Sequence, residues 1–266
     1  MAARRPSLPQ RVLERLRFRS HSGRLIRRHR ALRRLDFERA SILHPAILVA
    51  ASYGVLLLGQ SHLAAAWESS LRFWLPRLGL AAEIASRGRE LLGYTLYEIP
   101  YPVLDGSLPD RAALLGTAGL CAGLMLLSYL LLRGRALPAA YLVWAGCAIV
   151  LSSCIALWLA PERFPYTIAS HVANGLEFAL LLMLVMPLLL TFSYYVFDHS
   201  LARKALGTTL LLGGIAVIAP YQYLAHAALI EAFSLLIMPL LYVLFGLLLD
   251  IAVFVALYAW VISWEP

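Results

Sequence analysis

The chain has 266 residues, of which 61% are hydrophobic and 14% charged, and a formal net charge of +8. A soluble domain is only about 45–50% apolar, so this much apolar surface does not fit in one core, and a soluble globular enzyme is excluded. Apolar runs of about 18 residues or more recur along the chain, each enough to cross a hydrocarbon layer of about 30 Å. The expected fold is all-α: a polytopic membrane helix bundle of about six transmembrane helices.

Residues 1–44 read as a basic arm. Thirteen arginines lie between Arg4 and Arg39, against Glu14, Asp36 and Glu38. Leu25, Ile26, Leu32 and Leu35 recur at helical spacing among Arg24, Arg27, Arg28, Arg33 and Arg34. That pattern predicts an amphipathic helix on a bilayer with anionic headgroups. The arm is too long for a signal-peptide n-region and is expected to be retained. A nucleic-acid role is disfavoured, because no base-reading module accompanies the charge and the positive-inside bias already accounts for it. The N-terminus is therefore expected in the cytoplasm. The basic residues are 22 Arg against the single Lys204, a usage that suggests a GC-rich bacterial gene and hence the bacterial inner membrane.

The first span is predicted over 45–60, with Pro45 suited to a first helical turn. Residues 61–110 form the one sizeable segment between spans, with near-balanced charge that puts it on the extracytoplasmic side. Within it Trp67, Leu71, Trp74, Leu75 and Leu78 share a helical face and Glu68–Arg72 is an i,i+4 pair, so 62–75 reads as an amphipathic helix. A second helical run is expected over 80–92. Residues 94–110, with Pro100, Pro102, Asp105-Gly106 and Pro109, read as a turn-rich loop sized to cap the outer face or to contact a partner.

Spans two and three are predicted over 111–132 and 138–160, joined through Arg133-Gly134-Arg135 on the cytoplasmic side. Gly119 and Gly123 form a GxxxG motif with Gly116 close by, which allows close helix approach. Span four is predicted over 171–195 with a kink at Pro187, and span five over 205–223, stopping near Pro220 with Tyr221 and Tyr223 in an aromatic belt. The remaining apolar run, 227–264, is nearly twice what one crossing needs. It is read as an interfacial or re-entrant helix over 227–238 and a last crossing over 239–262, which puts the C-terminus in the cytoplasm. A seven-span arrangement is the main competitor. Cys121, Cys147 and Cys154 lie within apolar runs. Cys147 and Cys154 are about 10 Å apart by helical rise, beyond disulfide reach, so all three read as small packing residues.

The candidate site residues are polar side chains inside apolar runs. His171, Asn174 and Glu177 fall near the outer end of span four, and His226 and Glu231 at a similar level, so these five are expected to form one polar cluster. Asp250 sits near the middle of the last crossing, where an ionised carboxylate costs on the order of 3 kcal/mol and must face the bundle, be paired or carry a proton. Two histidines from different helices at one depth are what a bis-histidine b-type haem needs, and His44 with His199 would make a second pair. No tight ligand spacing marks a metal site. Ser170 beside His171 does not establish a nucleophile and base.

These residues support three function classes. The leading reading is a non-catalytic subunit or scaffold of a larger inner-membrane complex, with other membrane subunits as partners. The next is a proton- or ion-coupled transporter or channel component using Glu177 and Asp250. The third is a membrane enzyme or haem protein using the His/Glu cluster. Polar side chains that merely hold helices together are the plain alternative for each residue.

Overall fold

The computed structural model describes residues 39–91, 94–132, 134–164, 166–196 and 200–263. The arm arginines Arg24, Arg27, Arg28, Arg33 and Arg34, and His199, lie outside the described residues. Six helices are long and apolar enough to cross a membrane. They are α1 (Arg39–Trp74), α2 (Arg111–Leu131), α3 (Leu137–Leu159), α4 (Ile168–Val196), α5 (Leu201–Phe233) and α6 (Leu235–Ile262). Between α1 and α2 lies a two-stranded hairpin of β1 (Glu83–Leu91) and β2 (Tyr94–Val103).

Helix α1 merges what the sequence suggested were two helices. No breaker separates 45–60 from 62–75, so its 36 residues run on for about 54 Å, well past a hydrocarbon layer. The extra turns are folded into the protein: Trp67, Leu71 and Leu75 are buried, and Trp67 Nε1 donates to the Ala216 carbonyl of α5 at 2.7 Å. A short turn at Pro76–Leu78 ends the run, with Gly79 in the left-handed region at φ 73°.

The second helical run expected over 80–92 is instead strand β1, and the proline-rich segment after it is β2. The strands pair antiparallel from Glu83↔Val103 to Gly88↔Glu98, with a shift between Arg89 and Glu90. Each strand of a two-stranded sheet is an edge, so Pro100 and Pro102 are tolerated in β2. Tertiary docking decides the structure here. Tyr97 and Ile99 sit two apart on one face of β2 and enter the core formed with α1 and α4.

Helices α2 and α3 match the expected second and third spans closely. They enclose Leu114, Cys121, Cys147, Val150 and Cys154 in a satellite core that also takes Leu236 of α6. All three cysteines are buried thiols. At the other end of the chain the expected separate helix over 227–238 is absent. Helix α5 continues through Pro220 to Phe233, the chain turns at Ser234 with φ 71°, and α6 starts at Leu235. Continuity through Pro220 is possible because neighbouring helices can satisfy the freed backbone groups. Helix α6 contains a π-helical stretch, Leu241–Leu247, in which Leu248 N–H reaches the Val243 carbonyl.

The central packing is α4 against α5, and it is unusually close at one point. A Cβ on Gly175 would lie 2.0 Å from Tyr223 Cε1, so the Tyr223 ring rests on the α4 backbone. Gly175→Ala should therefore force the ring aside and lower stability by about 1–3 kcal/mol, read as thermal unfolding of the purified protein in detergent. Gly119→Ala, where the new Cβ meets nothing within 4 Å, should leave the melting point unchanged.

Candidate functional site

Helix α4 begins with a reciprocal cap that sets its rotation at the hairpin end. Thr167 Oγ1 accepts from Ser170 N–H at 3.1 Å, and Ser170 Oγ accepts from Thr167 N–H at 2.9 Å. Ser170 is thus engaged in capping rather than paired with a base. His171 and Gly175, four residues apart, share a face. That face meets α5, where Tyr223 and His226, three residues apart, also share a face.

The consequence is a direct histidine pair. His171 Nε2 and His226 Nδ1 are 3.1 Å apart, and both residues are 3% exposed. The His226 ring lies near the Phe245 carbonyl of the π segment, which accepts Gln222 Nε2 at 2.9 Å. Tyr223 packs edge-on against both imidazoles, with centroids 5.2 Å from His226 and 6.2 Å from His171. Its hydroxyl donates to Asp250 Oδ2 at 2.9 Å, and Asp250 is 2% exposed. The Gln222 side chain also lies beside this carboxyl. Gln222 Oε1 is buried without a hydrogen-bond partner among the described residues.

The five-residue cluster expected from the sequence does not form as one site. Asn174 is exposed at the hairpin side, where its Oδ1 accepts from Arg87 Nη1 of β1 at 3.0 Å. Glu177 is half-buried and its Oε1 accepts from the Tyr97 hydroxyl of β2. Glu231 is exposed, because five residues of helix carry it about 140° round from His226. Asp250, expected to stand apart and deeper, instead joins the histidine pair through Tyr223. The arrangement that forms is His171, His226, Tyr223, Gln222 and Asp250, on three helices.

The pair does not fit a bis-histidine haem. An iron held between two imidazoles puts their nitrogens about 4 Å apart along a line through the metal, whereas these nitrogens are 3.1 Å apart and bond each other. Among the described residues no group of three or more His, Cys, Asp or Glu side chains could hold a metal ion. His171 also lines a cavity of about 380 Å³ between α4 and α6, together with Phe164, Tyr166, Asn174, Met238 and Tyr242.

Several participants were not singled out in the sequence. Tyr223 was placed in an aromatic belt because Pro220 read as a helix end. Lys204 is buried in the first turn of α5 with its Nζ donating to the Tyr194 carbonyl at 2.8 Å. The Tyr194 hydroxyl returns a bond to the Lys204 carbonyl at 3.0 Å, making a second polar knot at the opposite end of the bundle.

Interhelical hydrogen bonds between neutral groups in a membrane average about 0.6 kcal/mol, with a maximum near 1.7. A double-mutant cycle of Tyr223→Phe and Asp250→Asn, measured by reversible unfolding in mixed detergent, should return a coupling in that range. Glu231→Gln should change stability by less than about 0.5 kcal/mol. Comparison with family models, with curated protein sequences and with solved structures finds no match to this chain.

Proposed function

We propose that this protein is a proton-handling component of a bacterial inner membrane, in which Asp250 takes up and releases a proton. The observation that carries this reading is the line of buried polar groups from His171 through His226 and Tyr223 to Asp250. Among the described residues the carboxyl's partners, Tyr223 and Gln222, are both neutral, so no positive charge sits beside it there. Burying an uncompensated carboxylate costs several kcal/mol, and proton exchange is the chemistry such a group offers. In this proposal the hairpin end faces outward, both termini are cytoplasmic, and His171 and His226 give the carboxyl its access. Glu177, held by Tyr97 of the hairpin, acts at the entrance and is not a second relay carboxyl.

A second reading, membership of a larger membrane assembly, is favoured by α2. This helix packs chiefly on α3, and Cβ atoms built on Gly116, Gly119 and Gly123 meet nothing within 4 Å. A partner helix could approach that stripe closely. The two readings are compatible, since a proton-handling chain can work as one subunit.

Proton flux separates relay from helix glue. The purified chain, reconstituted in liposomes with an internal pH-sensitive dye and an imposed potassium diffusion potential, should conduct protons. Asp250→Asn should slow that flux by about a hundredfold or more, the scale lost with a positioned proton-transfer group. Equal rates in the two proteins would leave Asp250 a packing role only. For the assembly reading, Gly119→Ile with Gly123→Ile should reduce the native size of the complex extracted from its own membrane, while the purified chain melts as before. An unchanged native size would remove that reading.

A further inference from the structure

We infer that the cavity floored by His171 binds a neutral, hydroxyl-bearing aromatic amphiphile of the quinol class. The inference rests on the proton-handling reading for its purpose, while the occupancy of the cavity is argued from the cavity alone. At about 380 Å³ it falls within the usual range for a small-molecule site. Its walls are mainly apolar and aromatic. Phe164 and Tyr166 stand edge-to-face with centroids 5.5 Å apart, and Tyr242 lies 6.1 Å from the His171 ring. Rings arranged in this way suit a flat aromatic guest in offset or edge contact.

The polar groups select the head. Among the described residues no charged side chain lines the cavity, which argues against a phosphate or carboxylate. The His171 Nε2–His226 Nδ1 contact engages one nitrogen of each ring, and in the tautomer in which His171 donates, His171 Nδ1 is an acceptor. Asn174 already gives its Oδ1 to Arg87, so its amide N–H groups remain as donors. An acceptor and a donor on one cavity are matched by a hydroxyl, which does both. Tyr166 and Tyr242 are each 51% exposed, so the cavity reaches the surface at their rings, and in this proposal a guest with an alkyl tail enters there from lipid. A proton passed from the hydroxyl to His171 is one hydrogen bond from His226. The proposal contains no redox step.

The test uses the full chain in nanodiscs of neutral phosphatidylcholine, titrated calorimetrically with a decyl benzoquinol kept reduced. Its dimethyl ether, with the same ring and tail but no O–H, and dodecyl phosphate serve as comparison probes. The quinol should bind saturably, and the ether at least about tenfold more weakly, equivalent to about 1.4 kcal/mol. His171→Ala should abolish the preference for the quinol over the ether. Val243→Trp, which puts a much larger side chain at the cavity wall while leaving both histidines in the sequence, should weaken the quinol by tenfold or more, and it carries the test if His171→Ala fails to fold. Equal binding of quinol and ether, or unchanged binding in Val243→Trp, overturns the proposal. Tighter binding of dodecyl phosphate, lost in Arg87→Ala, overturns it in favour of a phospholipid headgroup. Flux that fails while quinol binding persists refutes the proton reading alone. Binding that fails while flux persists refutes this inference alone.

Discussion

The contact on which the hairpin end of the bundle depends is the Tyr223 ring lying on the bare backbone of Gly175. In lipid there is no hydrophobic drive between helices, so close packing and interhelical hydrogen bonds specify their arrangement. Here one side chain does both. It fills the space left by the missing Cβ on α4 and bonds the carboxyl of Asp250 on α6. Because His171 shares the Gly175 face, and His226 the Tyr223 face, the same approach brings the two imidazoles together. A larger residue at position 175 would disturb the histidine pair without touching it.

The π-helical stretch of α6 is the second constraint. A π turn inserts one extra residue into a helix and so rotates everything beyond it by about 100°. In α6 the stretch ends at Leu247, three residues before Asp250, and its Phe245 carbonyl accepts the Gln222 amide. Without the insertion the face carrying Asp250 would turn away from Tyr223. The irregular backbone and the buried carboxyl therefore belong to one arrangement, in which α6 departs from regular geometry where it meets α5.

The spans were legible because twenty-residue apolar runs admit few other structures in a membrane. Their ends were harder to read. A break in α1 after 60 has no residue to cause it, since nothing in the sequence stops the helix before Pro76. Two features of the sequence conceal the hairpin. Leu80, Ile84, Leu91 and Leu92 fit a helical period as well as a strand, and the prolines of β2 suggest turns unless both strands are known to be edges. What settles the matter is the burial of Tyr97 and Ile99, a tertiary fact. At the site, the two histidines and Asp250 were recognisable as polar residues out of place. Glu231 was misplaced by counting depth along α5 without rotation about it. Tyr223 and Gln222 were hidden by reading Pro220 as a helix end, a rule from soluble proteins that relaxes inside a bundle.

The segment from 83 to 110 explains why the polar groups and the cavity lie at one end. Arg87 and Tyr97 grip α4 at Asn174 and Glu177, the Leu104 carbonyl accepts from Ala169 N–H at 2.9 Å, and the Ser107 carbonyl accepts from Leu235 N–H at 3.1 Å. The starts of α4 and α6 are thereby tied to the same short stretch of chain. Leu235 also packs against Gly106, whose φ of 81° and lack of a Cβ let the loop pass this close. These ties hold His171 and Tyr242, which both line the cavity, at a fixed spacing that α4 and α6 alone do not impose. A site that must present an acceptor and a donor to one small group needs that rigidity. The hairpin and its loop are therefore best understood as the frame of the site rather than as a cover over it.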